Sequence, residues 1–406
     1  MLAVLAWRNL WRRPQRTVLS LISIALVTGL LIFMLSFQEG VYGAMKEATL
    51  RIFDGYAQLQ PPGWADDPTL ERVIERPAAL VREAEATPGI AAAAPRVNAF
   101  AILANGPRSY GAAVLGVDPA GERRVSSIAA TILSGRYLAA GDGDAAILGD
   151  TLARNLGLAV GGRVTLLGQA RGGSVAADVL RVVGLYHSGV PDLDRAILEM
   201  PLARAQDAFG MEGAANTIVL GGASLAAVNS AMPDLRTLGR GAGVSVRDWA
   251  ALEPALREAI DLKYATAMLF YATLVVVVAF IILNTLLMSV LERTREFGML
   301  LALGMRPGQI GAMVWIELLG LALLGCLIGL LIGGGLTLWL QHRGIVYPVD
   351  PRLLAQFGLP TRLYPALTPF SALFGPAALL AAITVGGVAP YLRVIGLTPA
   401  LAMRAP

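Results

Sequence analysis

Four long runs with almost no charged residues constrain this 406-residue chain more than any other feature. They cover residues 17–37, 265–291, 310–340 and 369–392, and only the third carries a charge, at Glu317. Because a helix rises about 1.5 Å per residue, even the shortest run reaches roughly 31 Å, close to the thickness of the hydrocarbon core of a bilayer. Backbone groups in lipid must be paired within their own segment, so the sequence predicts four transmembrane α-helices.

The residues between the first and second runs, 38–264, alternate strand-like and helix-like segments, with an Asn105-Gly106 turn pair between two strands. Strands are predicted at 55–60, 90–103, 109–117, 163–167, 179–185 and 217–220, and helices at 70–86, 150–156, 201–209, 224–232 and 248–262. The only cysteine, Cys326, lies in the third run, so this domain is expected to rely on an ordinary core without disulfides. The predicted fold class is a membrane protein with four transmembrane helices and a large extracytoplasmic α+β domain between helices 1 and 2.

The distribution of charge predicts which side of the membrane each segment occupies. Residues 1–16, the 292–309 connection and the 393–406 tail together carry nine basic and two acidic residues, whereas 38–264 carries 21 basic and 25 acidic residues. Since short segments rich in arginine stay in the cytoplasm, both termini and the connection are predicted to be cytoplasmic and the α+β domain to lie outside. The short 341–368 loop is then also outside, although its three arginines depart from the rule.

The first 16 residues are predicted to form an amphipathic elbow helix on the cytoplasmic face of the membrane. Leu5 and Leu10 contribute to an apolar side, and Trp7 and Trp11 lie four residues apart. A disordered basic anchor is the alternative. A cleaved signal peptide is the alternative for 17–37, but its apolar core would be about 7–15 residues long, which is shorter than this run.

The connection between the second and third runs is the strongest candidate for a functional site. Its sequence from Val290 to Ile310, VLERTREFGMLLALGMRPGQI, places charged residues beside an apolar surface. A short amphipathic segment held between two membrane helices is suited to docking on a soluble partner and moving the helices with it. The alternative is an ordinary charged turn. The candidate coupling residues are Glu292, Arg293, Arg295, Glu296, Phe297, Gly298, Leu300, Leu303, Gly304 and Met305.

The run ERTREFGMLLALGM resembles the signature loop of the FtsX/MacB-type ABC permease superfamily, which usually has an arginine at the position of Leu301. The opening AWRNLWRRPQRT resembles the family's elbow, and PYLRVIGLTPALA at 390–402 resembles its closing segment. The stretch 132–168, ILSGRYLAAGDGDAAILGDTLARNLGLAVGGRVTLLG, is similar to the MacB-type periplasmic core domain. The resemblance covers nearly the whole chain, and four helices without a fused ATPase fit best with the lipoprotein-releasing LolC/LolE branch.

The resemblance implies a permease subunit in the bacterial inner membrane that works by mechanotransmission. Its expected partners are an ABC ATPase dimer, a second permease that is the same or homologous, and a periplasmic carrier or adaptor; no nucleic acid is expected. The expected substrate is a lipoprotein extracted from the outer leaflet. The alternatives are MacB-like efflux of a peptide or amphiphile and FtsX-like regulation of a cell-wall hydrolase. A membrane enzyme is disfavoured because the sequence lacks catalytic clusters.

No cofactor is expected in this chain. A phosphate-binding P-loop needs a Gly-rich loop followed by a lysine, and neither Lys46 nor Lys263, the only two lysines, follows such a loop. ATP and Mg²⁺ are therefore expected on the partner ATPase, and this subunit is expected to be non-catalytic. The two histidines, His187 and His342, lack the spacing of a zinc site, so no metal site is expected.

The membrane runs contain three further groups of candidates. Glu317 and Asn284 are polar residues in apolar runs, where Glu317 is expected either to anchor a neighbouring helix or to act in transport. Gly325, Gly329 and Gly333 repeat every four residues and predict close helix packing. Met and aromatic residues in the first two runs are either ordinary lipid-facing residues or the lining of a cavity for acyl chains, which the resemblance also implies: Phe33, Met34, Phe37, Met268, Phe270 and Tyr271.

Overall fold

A computed structural model describes residues 8, 11–12, 14–346, 348–349 and 361–395. Most of the predicted elbow at 1–16 and of the predicted tail at 393–406 therefore lies outside the described residues. The helices are α1 Pro14–Ile52, α2 Pro77–Glu85, α3 Pro119–Val125, α4 Asp150–Leu156, α5 Pro191–Ala196, α6 Leu202–Phe209, α7 Leu225–Ala242, α8 Trp249–Leu252, α9 Pro254–Glu292, α10 Thr294–Ala302, α11 Pro307–Arg343, α12 Pro369–Gly386 and α13 Val388–Ile395.

The strands of the described residues belong to one large sheet and one two-stranded sheet. They are β1 Ala57–Gln60, β2 Ala92–Asn105, β3 Arg108–Val117, β4 Ile132–Gly135, β5 Ala145–Gly149, β6 Arg163–Gln169, β7 Val175–Tyr186, β8 Ile197–Pro201, β9 Thr217–Gly221, β10 Ser245–Asp248, β11 Ile345–Val346 and β12 Arg362–Leu363. The first ten form the large sheet, and β11 pairs with β12. The chain divides into two compact units, one of which contains residues 44–259 and the other the long apolar helices.

Four helical segments are long and apolar enough to cross a membrane: α1, α9, α11 and the α12–α13 pair. The α+β unit lies in sequence between the first and the second of them, which confirms the predicted fold class. α1 and α9 each have 39 residues, or about 58 Å, and extend well beyond the predicted runs 17–37 and 265–291. The apolar run ends where polar residues begin, but Met45, Lys46 and Glu47 are good helix formers and the helix continues through them.

Six strands of the α+β unit form a closed hydrogen-bonded ring in the order β2, β3, β8, β5, β7, β6 and back to β2. The ring closes because the second half of the long strand β2 pairs with β6, while its first half pairs with β9. One side chain from each strand illustrates the core inside the ring, and all six are fully buried: Leu103, Val114, Leu198, Leu148, Leu180 and Leu166. The predicted turn at Asn105-Gly106 joins β2 and β3, with Gly106 at a φ of 58°.

A second layer forms where β9, β1 and β10 extend the sheet beyond the ring. Leu59 and Leu220 on these strands pack against Leu80 of α2 and Leu235 of α7. The predicted helix at 70–86 is wrong in its first half, because α2 begins only at Pro77. Proline disfavours helical backbone in the residue before it, and Ile74 instead forms a β-bridge to Ala215.

A charged network lies buried in the α+β unit, where β2, α3 and β8 meet. Arg96 donates from Nε and Nη2 to the two carboxylate oxygens of Glu122, at 2.9 and 2.5 Å, and both side chains are almost fully buried. Tyr137 donates to Glu199 Oε2 at 3.1 Å, while Glu199 Oε1 has no hydrogen-bond partner among the described residues. Burial, with the nearby charge of Glu122, raises the pKa of Glu199 to about 8.

Candidate coupling site

The predicted coupling segment contains the short helix α10, which lies between two of the long helices in sequence. Phe297, on its inner side, is only 1% exposed and packs with Val290, Ile310, Val314 and Val394. The neighbouring Gly298 is also buried. These two predicted coupling residues therefore pack α10 against its own chain, and the exposed positions of α10 are those accessible to a partner.

The opposite side of α10 and the residue that follows the helix are exposed, with apolar side chains beside charged ones. Leu303 is 83% exposed and Met299 is 54% exposed, and Arg295 is exposed as well. α10 ends at Ala302, and Gly304, with a φ of 96°, turns the chain towards α11. A groove of about 460 Å³ runs along this side and is lined by Arg12, Arg293, Glu296, Met299, Leu300, Leu303, Met305 and Met313.

Arg293 connects α10 to α11 through Glu317, the charged residue of the third apolar run. Its Nη1 lies 3.4 and 3.3 Å from the two carboxylate oxygens of Glu317, and both side chains are 13% exposed. The same guanidinium contacts Glu296 at 3.2 Å and lies 5.4 Å from the ring centre of Phe297. The structure thus gives Glu317 a charged partner directly before α10, which is the type of contact that the anchoring alternative requires.

The start of α1 is tied to the same region. Arg16 donates to Glu292 Oε2 at 3.0 Å and to the carbonyl oxygen of Thr285 at 2.6 Å. Arg12 lies 3.6 Å from Glu296. These pairs are partly solvated, so each contributes little stability by itself, but together with Arg293 they connect α1, α9, α10 and α11.

We expect the Arg293–Glu317 contact to stabilise α10. In a double-mutant cycle with Arg293→Met and Glu317→Gln, the interaction energy should be about 1–3 kcal/mol, because removing either partner leaves a largely buried charge. Thermal unfolding of the purified chain gives the cycle, and hydrogen exchange of the α10 amides should increase in both single variants. Asn284→Ala, at an exposed position on α9, is the control. Simple additivity of the two substitutions would contradict this account.

The predicted cavity residues are distributed over two neighbouring helices. Phe33 and Phe37 stack with their ring centres 5.9 Å apart on α1, and Tyr271 on α9 donates to Gln38 at 2.9 Å. Met34 is 38% exposed and Phe270 68% exposed. Met268 is half-buried. The sequence did not point to Gln38, although a polar residue directly after an apolar run is the signal that could have shown it.

α1 and α9 also meet one turn further along, beyond the apolar run. Tyr264 hydrogen-bonds to Glu39, and its ring lies 5.5 Å from that of Tyr42. The sequence did not point to these polar and aromatic residues, because the apolar run ends at Phe37. Asn284 is exposed on α9.

Comparisons with known proteins agree with this architecture. The family model for the MacB-like periplasmic core domain matches residues 17–238, and that for the FtsX-like permease C-terminal region matches residues 268–399. The chain is 28% identical over 308 residues to the lipoprotein-releasing system transmembrane protein LolC of Neisseria meningitidis serogroup B, covering 72% of this chain and 70% of that protein. It is 43% identical over 60 residues to the macrolide export ATP-binding/permease protein MacB of Chlorobaculum tepidum, covering 15% and 9%.

Among solved structures, the extracellular domain of the ABC-type transporter YknZ from Gram-positive bacteria matches 48% of this chain and 98% of its own, at 14% identity and a TM-score of 0.36. That score is too low to add to the assignment. The two family models together cover most of the chain, and the first alone covers more than half of it. The chain is therefore a multi-pass membrane protein that belongs to the FtsX/MacB family of ABC transporter permeases.

Proposed function

We propose that this chain is the permease subunit of a lipoprotein-releasing ABC transporter in the bacterial inner membrane and that it works by mechanotransmission. In this proposal both termini and α10 face the cytoplasm and the α+β unit faces the periplasm. The segregation of basic residues into the short connections supports this orientation. The similarity to LolC over 72% of the chain supports the substrate class.

α10 is the element that would receive force from a separate ATPase dimer. Its buried side is fixed by Phe297, and Arg293 ties it to Glu317 on α11. Movement of α10 would therefore displace α11 directly, and the Arg16–Glu292 pair would carry the movement to α1 and α9. This set of contacts, with the apolar side chains of Met299 and Leu303 left exposed for a partner, is the observation that carries the proposal.

The rest of the assembly follows from the same proposal. A second permease, the same or homologous, would pair with this chain, and a periplasmic carrier would receive the lipoprotein. Met and aromatic side chains adapt to flexible apolar ligands, so acyl chains would contact the predicted cavity residues: Phe33, Met34, Phe37, Met268, Phe270 and Tyr271.

A second candidate function is efflux of a peptide or amphiphile with an adaptor, which is favoured by the local 43% identity to a MacB. Mass spectrometry of molecules that co-purify with the complex distinguishes the two.

The exposed side of α10 gives the direct test of the ATPase partner. We expect Leu303→Glu to reduce co-purification of the ATPase at least about 10-fold, or about 1.4 kcal/mol, because it places a charge in an apolar contact. The melting temperature of the chain should stay unchanged, since Leu303 is 83% exposed. Phe297→Glu is less informative because it would disturb packing within the chain.

Leu133→Glu is the matched control, since Leu133 is a leucine of similar exposure in the α+β unit. It should leave ATPase association as in the wild type. If Leu303→Glu retains the ATPase at wild-type level, or if Leu133→Glu loses it equally, the assignment of α10 as the coupling helix is wrong.

A further inference from the structure

Three side chains of the types that ligate metals meet in the α+β unit, although Asp150 is distant in the sequence from the other two. Asp150 begins α4, His187 follows β7, and Asp194 lies in α5. His187 Nδ1 lies 3.1 Å from Asp194 Oδ2 and 3.5 Å from Asp150 Oδ1. One ligand atom from each of the three residues lies within 4.8 Å of the others. The number and spacing of the histidines did not predict this group, because two of its three members are carboxylates.

The two carboxylates are held in place by other donors. Ser188 donates to Asp194 Oδ1 from its backbone nitrogen at 2.8 Å and from its hydroxyl at 2.7 Å. Arg154 donates to Asp150 Oδ2 at 2.6 Å, and Thr151 donates to Asp150 Oδ1 at 3.1 Å. Supporting hydrogen bonds of this kind orient ligating carboxylates in metal sites. The side chain of Asp194 is only 2% exposed, whereas that of His187 is 56% exposed and leaves a route for an ion.

Each carboxylate oxygen of Asp150 and Asp194 has a neighbouring donor, but the negative charge of this group is incompletely balanced. A neutral His187 has one proton on Nδ1 at most, so it serves one carboxylate and not both. Arg154 is the one arginine in contact with the pair of acids among the described residues. A divalent ion would satisfy both carboxylates and the ring nitrogen together. In a tetrahedral site, metal–ligand bonds of about 2.0–2.1 Å place neighbouring ligand atoms about 3.3 Å apart. The distances from His187 Nδ1 to Asp194 Oδ2 and Asp150 Oδ1, 3.1 and 3.5 Å, lie on either side of this value.

We propose that Asp150, His187 and Asp194 bind a divalent transition-metal ion of the Zn²⁺ class, with a fourth position open to solvent. One imidazole and two carboxylates suit such ions. The ion would link the start of α4, the end of β7 and α5, in a unit that has no cysteine and therefore no disulfide. Metal binding would stabilise the folded unit in place of such a covalent link.

The test uses the purified full-length chain in detergent, treated with EDTA and then titrated with Zn²⁺. We expect one equivalent to bind with micromolar or tighter affinity and to raise the melting temperature by several degrees. Co²⁺ should produce the visible absorption of a tetrahedral nitrogen–oxygen site. His187→Gln, which keeps a hydrogen-bond donor but lacks the imidazole ligand, should weaken binding at least about 10-fold and abolish the Co²⁺ spectrum.

His342→Ala is the control, because His342 is the only other histidine and lies at the exposed end of α11. It should bind Zn²⁺ as the wild type does. His187→Ala provides a second variant at the same half-exposed position, where a substitution is tolerated without loss of the core. Absence of binding by the wild type, or equal binding by the wild type and both His187 variants, would overturn the proposal. Neither result bears on the ATPase contact of α10.

Discussion

Replacing Gly333 by leucine should prevent the membrane helices from assembling correctly. A Cβ atom at Gly333 would lie 2.4 Å from Gly29 Cα and 2.9 Å from Gly29 O, so the obstacle is backbone that cannot rotate away. At Gly329, a Cβ would lie 2.6 Å from the carbonyl oxygen of Ala25. α1 and α11 therefore approach each other through small residues, as the four-residue glycine repeat predicted.

We expect Gly333→Leu to lower the free energy of unfolding, because a whole side chain must fit where two backbones touch. The loss should lie at the upper end of the range for overpacking, which is about 1–3 kcal/mol and occasionally more. The measurements are the yield of monodisperse protein in detergent and its melting temperature. Gly335→Leu is the matched control on the same helix, since a Cβ there meets no atom of the described residues within 4 Å. It should be neutral or slightly stabilising because leucine is the better helix former. Equal behaviour of the two variants would show that the close approach of α1 and α11 does not limit stability.

The sequence was a good guide to features that depend on neighbouring residues. Hydrophobic length predicted four membrane helices, the glycine spacing predicted a helix contact, and the Asn105-Gly106 pair predicted the β2–β3 turn. The ends of helices were less well predicted. The apolar run 17–37 marks only the part of α1 that is apolar enough to lie in the membrane, and not the full length of the helix.

Features made by distant residues were not predictable in the same way. The ring closes through pairing of β2 with β6, and nothing in the local pattern of either strand specifies that partner. The contact of Arg293 with Glu317 joins residues 24 apart in sequence, one directly before α10 and the other on α11. Phe297 was predicted as a coupling residue, and its burial was not predictable because amphipathic spacing does not tell which apolar residue faces the chain's own core.

Arg96 balances the buried acids of the α+β unit, and this makes it a sensitive position. It is paired through two hydrogen bonds with Glu122, whose side chain is fully buried, and it lies close enough to Asp54 and Glu199 to be attracted by their charges. The pairing itself does not prove a gain in stability, since desolvation of both partners offsets much of their attraction. Removing only one partner is different, because the remaining carboxylate stays buried without compensation.

We expect Arg96→Met to lower the free energy of unfolding by about 3–5 kcal/mol at pH 8, measured by thermal or denaturant unfolding of the purified chain. Arg96→Met/Glu122→Gln should recover most of this loss, because the uncompensated charge is removed as well. Arg163→Met, at an exposed position of β6, is the control and should change stability by less than about 0.5 kcal/mol. A double variant no more stable than Arg96→Met would contradict the charge-balance explanation.

The pH dependence of stability distinguishes the charge-balance explanation from a simple loss of packing. Glu199, whose pKa in the folded protein is about 8 against an ordinary value of 4.5, holds its proton more tightly when folded. The unfolded state then binds fewer protons between pH 4.5 and 8, so stability falls as the pH rises through this window and levels off above it. Arg96 lowers the pKa of Glu199 through its positive charge, so Glu199 should hold its proton to higher pH in Arg96→Met and stability should decline over a wider range. The deficit of the variant should therefore be larger near pH 8 than near pH 5, whereas a packing defect would give the same deficit at both.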